Sequence, residues 1–259
     1  MSHSSESERG ITQPDQWTQV VEEMLAGKEY EPGSFDVYPI IGRISAGKNT
    51  IQEILIEWLQ RDGYKVKSSS AGESIRRHQK DATGRTQMKG HFMRPAEVDR
   101  VLDIDTARNL INPANAGQIL IPEGRLLGFI SGKVKEAART KGYALPGYIH
   151  PILIDAEDEV RYEREYEALH RNDPTITAEQ AARLTVDRER GEAITFSSLY
   201  PELGSRNLYD IGLTNGLGEP VYECLVDTSE HSAAFSARKV YDFITQTAIA
   251  PHALPHQQR

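Results

Sequence analysis

The chain has 259 residues, 38% of them hydrophobic and 26% charged, enough to bury a substantial core in one large domain or in one domain plus a small mobile insert. A formal net charge of −8 argues against a protein whose main work is gripping a nucleic-acid backbone, and a single cysteine, Cys224, excludes an internal disulfide framework and a multi-cysteine zinc site. No run approaches a membrane span and the polar start from Met1 to Arg9 lacks an apolar signal stretch, so a reducing, cytoplasmic setting with no membrane partner is the expectation.

Residues 1 to 14 have the composition of a disordered segment, after which Trp17, Val20, Val21, Met24 and Leu25 fall at helical spacing and predict a docking helix ahead of the core. Gly27 to Ser34 then reads as a connector into an apolar strand, Val37-Tyr38-Pro39-Ile40-Ile41. Directly after that strand stands Gly42-Arg43-Ile44-Ser45-Ala46-Gly47-Lys48, which fits G-x-x-x-x-G-K, the pattern of a phosphate-binding loop. Its glycines let successive N–H groups turn toward a polyphosphate, the helix that follows offers the positive end of its dipole, and the Lys48 ammonium can reach the outer phosphates. Asn49 stands where Ser or Thr would normally meet magnesium, with Thr50 one place later.

The helix after the loop carries Ile51, Ile54, Leu55, Trp58 and Leu59 on one face and is closed by Gly63. Tyr64 to Ser69 is a weaker strand. A further helix is expected to begin near Ser74, residues 78 to 95 read as an exposed loop, and Ala96 to Leu110 reads as a helix. The short apolar run from Gln118 to Pro122 is a buried strand leading into Glu123-Gly124-Arg125, and Tyr148 to Ile154 is another strand. Strands alternating with helices predict a parallel sheet covered on both faces, with the ligand beyond the carboxyl ends of the strands. Two Arg- and Glu-rich helices follow, from about Glu157 to His170 and from Thr177, where Thr177-x-x-Gln180 is a capping box; with few large apolar residues they predict an exposed hairpin. A strand from Tyr222 to Val226, a helix from Ser232 to Thr247 and a Pro/His-rich tail complete the chain. Asp155 and Asp227 at strand ends are expected to cap the helices after them, and Cys224 to be packed.

Several segments fall in the order found in P-loop nucleoside monophosphate kinases. Ser70-Ala71-Gly72-Glu73-Ser74-Ile75-Arg76-Arg77 resembles an S-A-G-E-I-F-R segment; Asp99-Arg100 with Asp103 resembles D-R-x-x-D; and Glu123-Gly124-Arg125-Leu126-Leu127-Gly128-Phe129 resembles E-G-R-L-A-G-W. Asp158 to Arg164 is similar to P-E-V-R-A-E-R, Arg183 to Glu189 to an arginine-bearing lid, and Val226-Asp227-Thr228-Ser229 to I-D-T-S. Together they make the chain similar to the cytidylate kinase-like branch of that family. The resemblance implies a three-layer α/β fold with a five-stranded parallel sheet and a helical lid, moving the γ-phosphate of ATP, with Mg2+, to a nucleoside monophosphate such as CMP or dCMP.

It also implies an organisation and a set of roles. Residues 1–35 form an N-terminal extension, 36–249 the kinase domain with its acceptor region at about 70–112 and lid at about 171–206, and 250–259 a disordered tail. The loop Gly42, Arg43, Ile44, Ser45, Ala46, Gly47 and Lys48 takes the ATP phosphates, with Asn49 and Thr50 beside the magnesium. Ser70, Gly72, Glu73, Arg76, Asp99, Arg100, Asp103, Gly124, Arg125 and Gly128 line the acceptor side. Lys48 and Arg125, with Arg183, Arg188 and Arg190 of the lid, stabilise the transferring phosphoryl group. Taken alone, the lid arginines also fit a solvated helix face, Arg183 with Asp187 forming an i,i+4 pair. Thr195-Phe196 replaces the family's later R-Y pair, and Gly204 to Pro220 is a longer connection than expected; both leave room for another small acceptor, or for a nucleotide-binding interaction protein without catalysis.

Overall fold

The computed structural model describes residues 15–70, 96–204 and 206–248. The expected disorder at both ends, the loop at 78–95, the helix near Ser74, and Gly72, Glu73 and Arg76 lie outside the described residues.

All strand pairs are parallel, and the sheet grows from the apolar runs: β1 (Phe35–Val37), β2 (Ile40–Ile41), β3 (Val66–Ser70), β4 (Ile119–Glu123), β5 (Gly147–Ile149), β6 (Ile152–Asp155) and β7 (Cys224–Asp227). These seven segments occupy five lanes. Asp36 pairs with Ile119 and Ile40 with Glu123; Phe35 pairs with Gly147 and Ile41 with Leu153, so the register does not change across either break. Each break holds a proline, Pro39 and Pro151, which has no N–H to give to a ladder. The lane order is β3, β4, β1/β2, β5/β6, β7. The predicted five strands are therefore present, two of them interrupted.

Helices cover both faces because alternate strand residues point to opposite sides. Tyr38, Ile40, Ile152 and Ile154 pack with Ile51, Leu55 and Leu59 of α2 (Lys48–Arg61) and with Val240 and Ile244 of the last helix, α7 (Ala233–Thr247). Phe35, Val37, Leu120 and Ile149 pack instead under α1 (Gln16–Leu25), α3 (Ala96–Leu110) and α4 (Leu127–Lys141). The N-terminal helix is thus part of the main core: Asp15 caps it through Trp17 N and Thr18 N, and the Trp17 ring lies 5.9 Å from Phe129 and 5.7 Å from Tyr200.

The hairpin of α5 (Asp158–His170) and α6 (Ala178–Leu199) starts as predicted, with both capping-box hydrogen bonds formed between Thr177 and Gln180. It is less exposed than its composition suggested. Leu199 and Tyr200 end α6 inside the core, and Arg161 of α5 is fully buried. The long connection after α6 also serves the core. Its Val221 and Tyr222 close over Ile41 and Leu153 of the sheet and Leu127 of α4, with Tyr209 and Leu213 against them. Gly128 is required there, since a Cβ at that position would stand 2.8 Å from the Tyr222 hydroxyl.

Candidate phosphate-binding site

The glycine loop leaves β2 at the carboxyl edge of the sheet. A Cβ on Gly42 would fall 1.9 Å from the Ile154 carbonyl oxygen of the neighbouring lane, so only glycine lets the backbone turn there. Ser45 and Gly47 have φ of 58° and 92°, and α2 begins at Lys48, so the loop wraps across the start of a helix and offers its unpaired N–H groups to an anion. Gly124 N donates to Ile40 O at 3.2 Å, which places Arg125 beside the loop.

Lys48 is buried. Its ammonium donates to Arg43 O at 2.7 Å and lies 3.8 Å from Glu123 Oε1. Burial pushes its pKa down to about 8; Glu123 opposes that shift, whereas Arg125, Arg188 and Arg161 add to it. The geometry gathers cations from three elements on this side of the loop: Arg161 donates to Ile44 O at 3.0 Å, Arg125 follows Gly124, and Glu192 joins Arg125 to Arg188. Each is held by a carboxylate: Arg125 by Glu192, Arg188 Nε by Glu192 at 3.3 Å, and Arg161 Nη1 by Glu189 at 2.5 Å.

A network underneath fixes the loop. Arg161 donates to Ile44 O at 3.0 Å and to Asp158 at 2.6 Å, Ser45 Oγ meets Glu165 at 2.5 Å, and Thr228 Oγ1 donates to Ala46 O at 3.0 Å. Arg164 completes the network by donating to Thr228 O at 2.7 Å.

The predicted residues divide. Gly42 to Lys48, Gly124, Arg125 and Arg188 come together. Gly128 lies in the first turn of the adjacent α4 as a packing glycine. Arg183 does not join them: its side chain is 84% exposed and sits 3.9 Å from Asp187, the solvated-face arrangement. Arg190 lines a groove of about 550 Å³ along α6, with Leu203, Arg206 and Tyr209. Burial pushes the Tyr209 phenol up to about 12 while Arg125 pulls it down. On α3, Asp103 accepts the Tyr200 hydroxyl at 2.6 Å and Arg100 donates to Leu199 O at 3.4 Å, tying that helix to the end of α6; Asp99 lies one turn earlier. Thr195, which stands where a lid arginine was expected, donates its hydroxyl to Gly191 O at 3.0 Å, and Phe196 beside it packs against the core. Asp155 does not cap a helix but takes the Arg43 guanidinium at 2.9 and 3.1 Å, so the Arg43 side chain braces the loop. Asp227 likewise caps a turn, accepting from Ser229 N at 2.8 Å. Cys224 is half-buried, and burial raises its thiol pKa.

Sequence reasoning missed Glu123, Arg161, Arg164, Thr228, Glu189 and Glu192. All but Glu192 lie inside quoted motifs, but their role depends on which loop the fold lays over them. Glu189 and Glu192 read as ordinary helix surface.

Asn49 and Thr50 are exposed on the first turn of α2, and Glu123 ends β4 beside Lys48. Amide, hydroxyl and carboxylate oxygens are the donor types magnesium takes, and it keeps several waters and binds through few protein oxygens. Among the described residues, no group of three or more His, Cys, Asp or Glu side chains is arranged to hold a metal.

The sheet, the loop and the helices on both faces define a three-layer α/β fold with a glycine loop at the carboxyl edge of its parallel sheet. The chain is 25% identical over 173 residues to a cytidylate kinase of Methanosarcina acetivorans, a match covering 66% of this chain and 83% of that protein. The crystal structure of APE1195 shares the fold at 18% identity and a TM-score of 0.50, covering 85% of this chain and 99% of its own. The Mycobacterium tuberculosis APS kinase CysC, solved with AMPPNP and APS, aligns at 13% identity and a TM-score of 0.43 over 83% of this chain and 99% of its own. No protein-family model matches the chain. No described helix is long and apolar enough to cross a membrane.

Proposed function

We propose that this protein is a nucleoside monophosphate kinase of the cytidylate kinase-like kind, transferring the γ-phosphate of ATP to CMP or dCMP. The observation that carries the reading is a glycine loop that holds the buried Lys48 ammonium, with Arg161 on the Ile44 carbonyl of that loop and Arg125 and Arg188 joined through Glu192. Phosphoryl transfer asks a protein for alignment and for cations where charge accumulates, and this is such a set.

In this reading the loop amides and Lys48 hold the donor phosphates, while Arg125 grips the acceptor phosphate through two guanidinium nitrogens. Arg188, with Arg190 from the groove side, approaches the transferring group from α6. Ser70, Gly72, Glu73, Arg76, Asp99, Arg100 and Asp103 are assigned to the acceptor side on resemblance. Asn49, Thr50 and Glu123 would hold magnesium, which when bound neutralises charge on the phosphates. A coupled ADP-release assay across nucleoside and deoxynucleoside monophosphates tests the reading: turnover with CMP or dCMP above the others is expected, and none with any monophosphate refutes it.

A second reading, a kinase for another small acceptor, is favoured by Thr195 in place of a lid cation and by the Arg190–Arg206–Tyr209 groove. A thermal-shift screen separates the two, because the true acceptor stabilises the fold by mass action.

A further inference from the structure

The three arginines around Lys48 are each engaged by a carboxylate from one helix. Glu192 spans two of them, Oε2 toward Arg125 and Oε1 toward Arg188 Nε at 3.3 Å, while Glu189, one turn earlier, takes Arg161. Glu192 and Glu189 keep 20% and 27% side-chain exposure, so an incoming anion can reach them. Asp187 lies on the same helix and also pairs with an arginine, yet it faces solvent through Arg183 and does not touch this set. The arrangement is thus confined to the face of α6 turned toward the glycine loop. Arg125 stands after β4 and Arg188 on α6; a single carboxylate holding both sets the distance between two separate elements.

We infer that Glu192, assisted by Glu189, is a positioning residue that acts as an internal anion. It holds Arg125 and Arg188 ready around a place later taken by substrate phosphate, and a phosphate binds by displacing this carboxylate from the guanidinium groups. A carboxylate and a phosphate offer arginine the same paired oxygen acceptors, which makes the exchange chemically matched. The displaced carboxylate swings toward solvent on α6, so anion binding and release of the helix from Arg125 are one event. The cost of the exchange lowers affinity for bare anions and reserves the site for ligands with further contacts. This inference rests on the phosphate-site reading above, but its test does not need turnover.

The full-length protein is titrated with inorganic phosphate, as wild type, Glu192→Gln, Glu192→Asp and Asp187→Asn, by calorimetry and thermal shift. Glu192→Gln should bind phosphate on the order of tenfold more tightly, about 1.4 kcal/mol. Glu192→Asp, which keeps the charge but shortens the reach, should fall between it and wild type and serves alone if the Gln variant does not fold. Asp187→Asn makes the same charge change on the same helix and should leave phosphate affinity within twofold. Equal gains in Glu192→Gln and Asp187→Asn would mean a general charge effect and would overturn the proposal, as would unchanged or weaker phosphate binding in the Glu192 variants. With a turned-over acceptor, Glu192→Gln should lower KM several-fold without raising kcat, a split that mere structural damage would not give. Absence of turnover with every monophosphate would refute the kinase reading while leaving the phosphate titration decisive for this one.

Discussion

Replacing Lys48 by Met offers a direct test, because the side chain is buried and its charge is costly in the folded chain. Burial holds the folded-state pKa at about 8 against 10.5 for a free lysine, with Arg125, Arg188 and Arg161 adding to the effect of burial and Glu123 opposing it. That gap corresponds to roughly 3 kcal/mol. The sign follows from proton counting: between pH 8 and 10.5 the unfolded chain binds more protons at this position than the folded one, so the wild type gains stability as pH rises. Lys48→Met lacks this group, and titrations remote from it are shared and cancel. Urea denaturation of both proteins at about pH 7, 8, 9 and 10 should show the wild type gaining roughly 2–3 kcal/mol on the variant, most of it above about pH 8. At about pH 7 the variant should also bind ATP about ten- to a hundredfold more weakly, the range for a lost charged hydrogen bond. A stability difference that stays constant with pH, or undiminished ATP binding, would refute the reasoning.

Gly42→Ala should abolish ATP binding and destabilise the fold by about 1–3 kcal/mol, since its Cβ would meet a main-chain oxygen that cannot move aside; denaturation and nucleotide titration measure both effects. Arg125→Lys should raise the acceptor KM at least about tenfold while leaving ATP affinity within twofold, because a lysine keeps the charge but not the paired donors; steady-state kinetics decide. Thr177→Ala should cost about 1 kcal/mol by removing half of the capping box, seen as faster hydrogen exchange confined to the first turns of α6.

Much of this protein was legible in the chain because local physics sets it. The glycine loop, the cap at Thr177, the stripe on α2 and the alternation of short apolar runs with helices each depend on residues within a few turns of one another. They are enough for a parallel α/β sheet with a polyphosphate site at the carboxyl ends of its strands. The breaks at Pro39 and Pro151 were visible as prolines, yet their effect, two lanes interrupted without loss of register, follows from pairing across the sheet.

Only tertiary structure decided which charges belong to the site. Arg183, Arg188, Glu189 and Glu192 read alike as helix surface. Packing of α6 against the loop turns Glu189 and Glu192 to the arginines around Lys48 and leaves Arg183 in solvent. Asp155, expected to cap a helix, instead braces Arg43, and Arg161 is buried beneath the loop it supports. The reason is range: a cap or an amphipathic stripe is written within one or two turns, whereas an ion pair such as Arg161 with Glu189 or Arg125 with Glu192 joins residues that only the closed fold brings together.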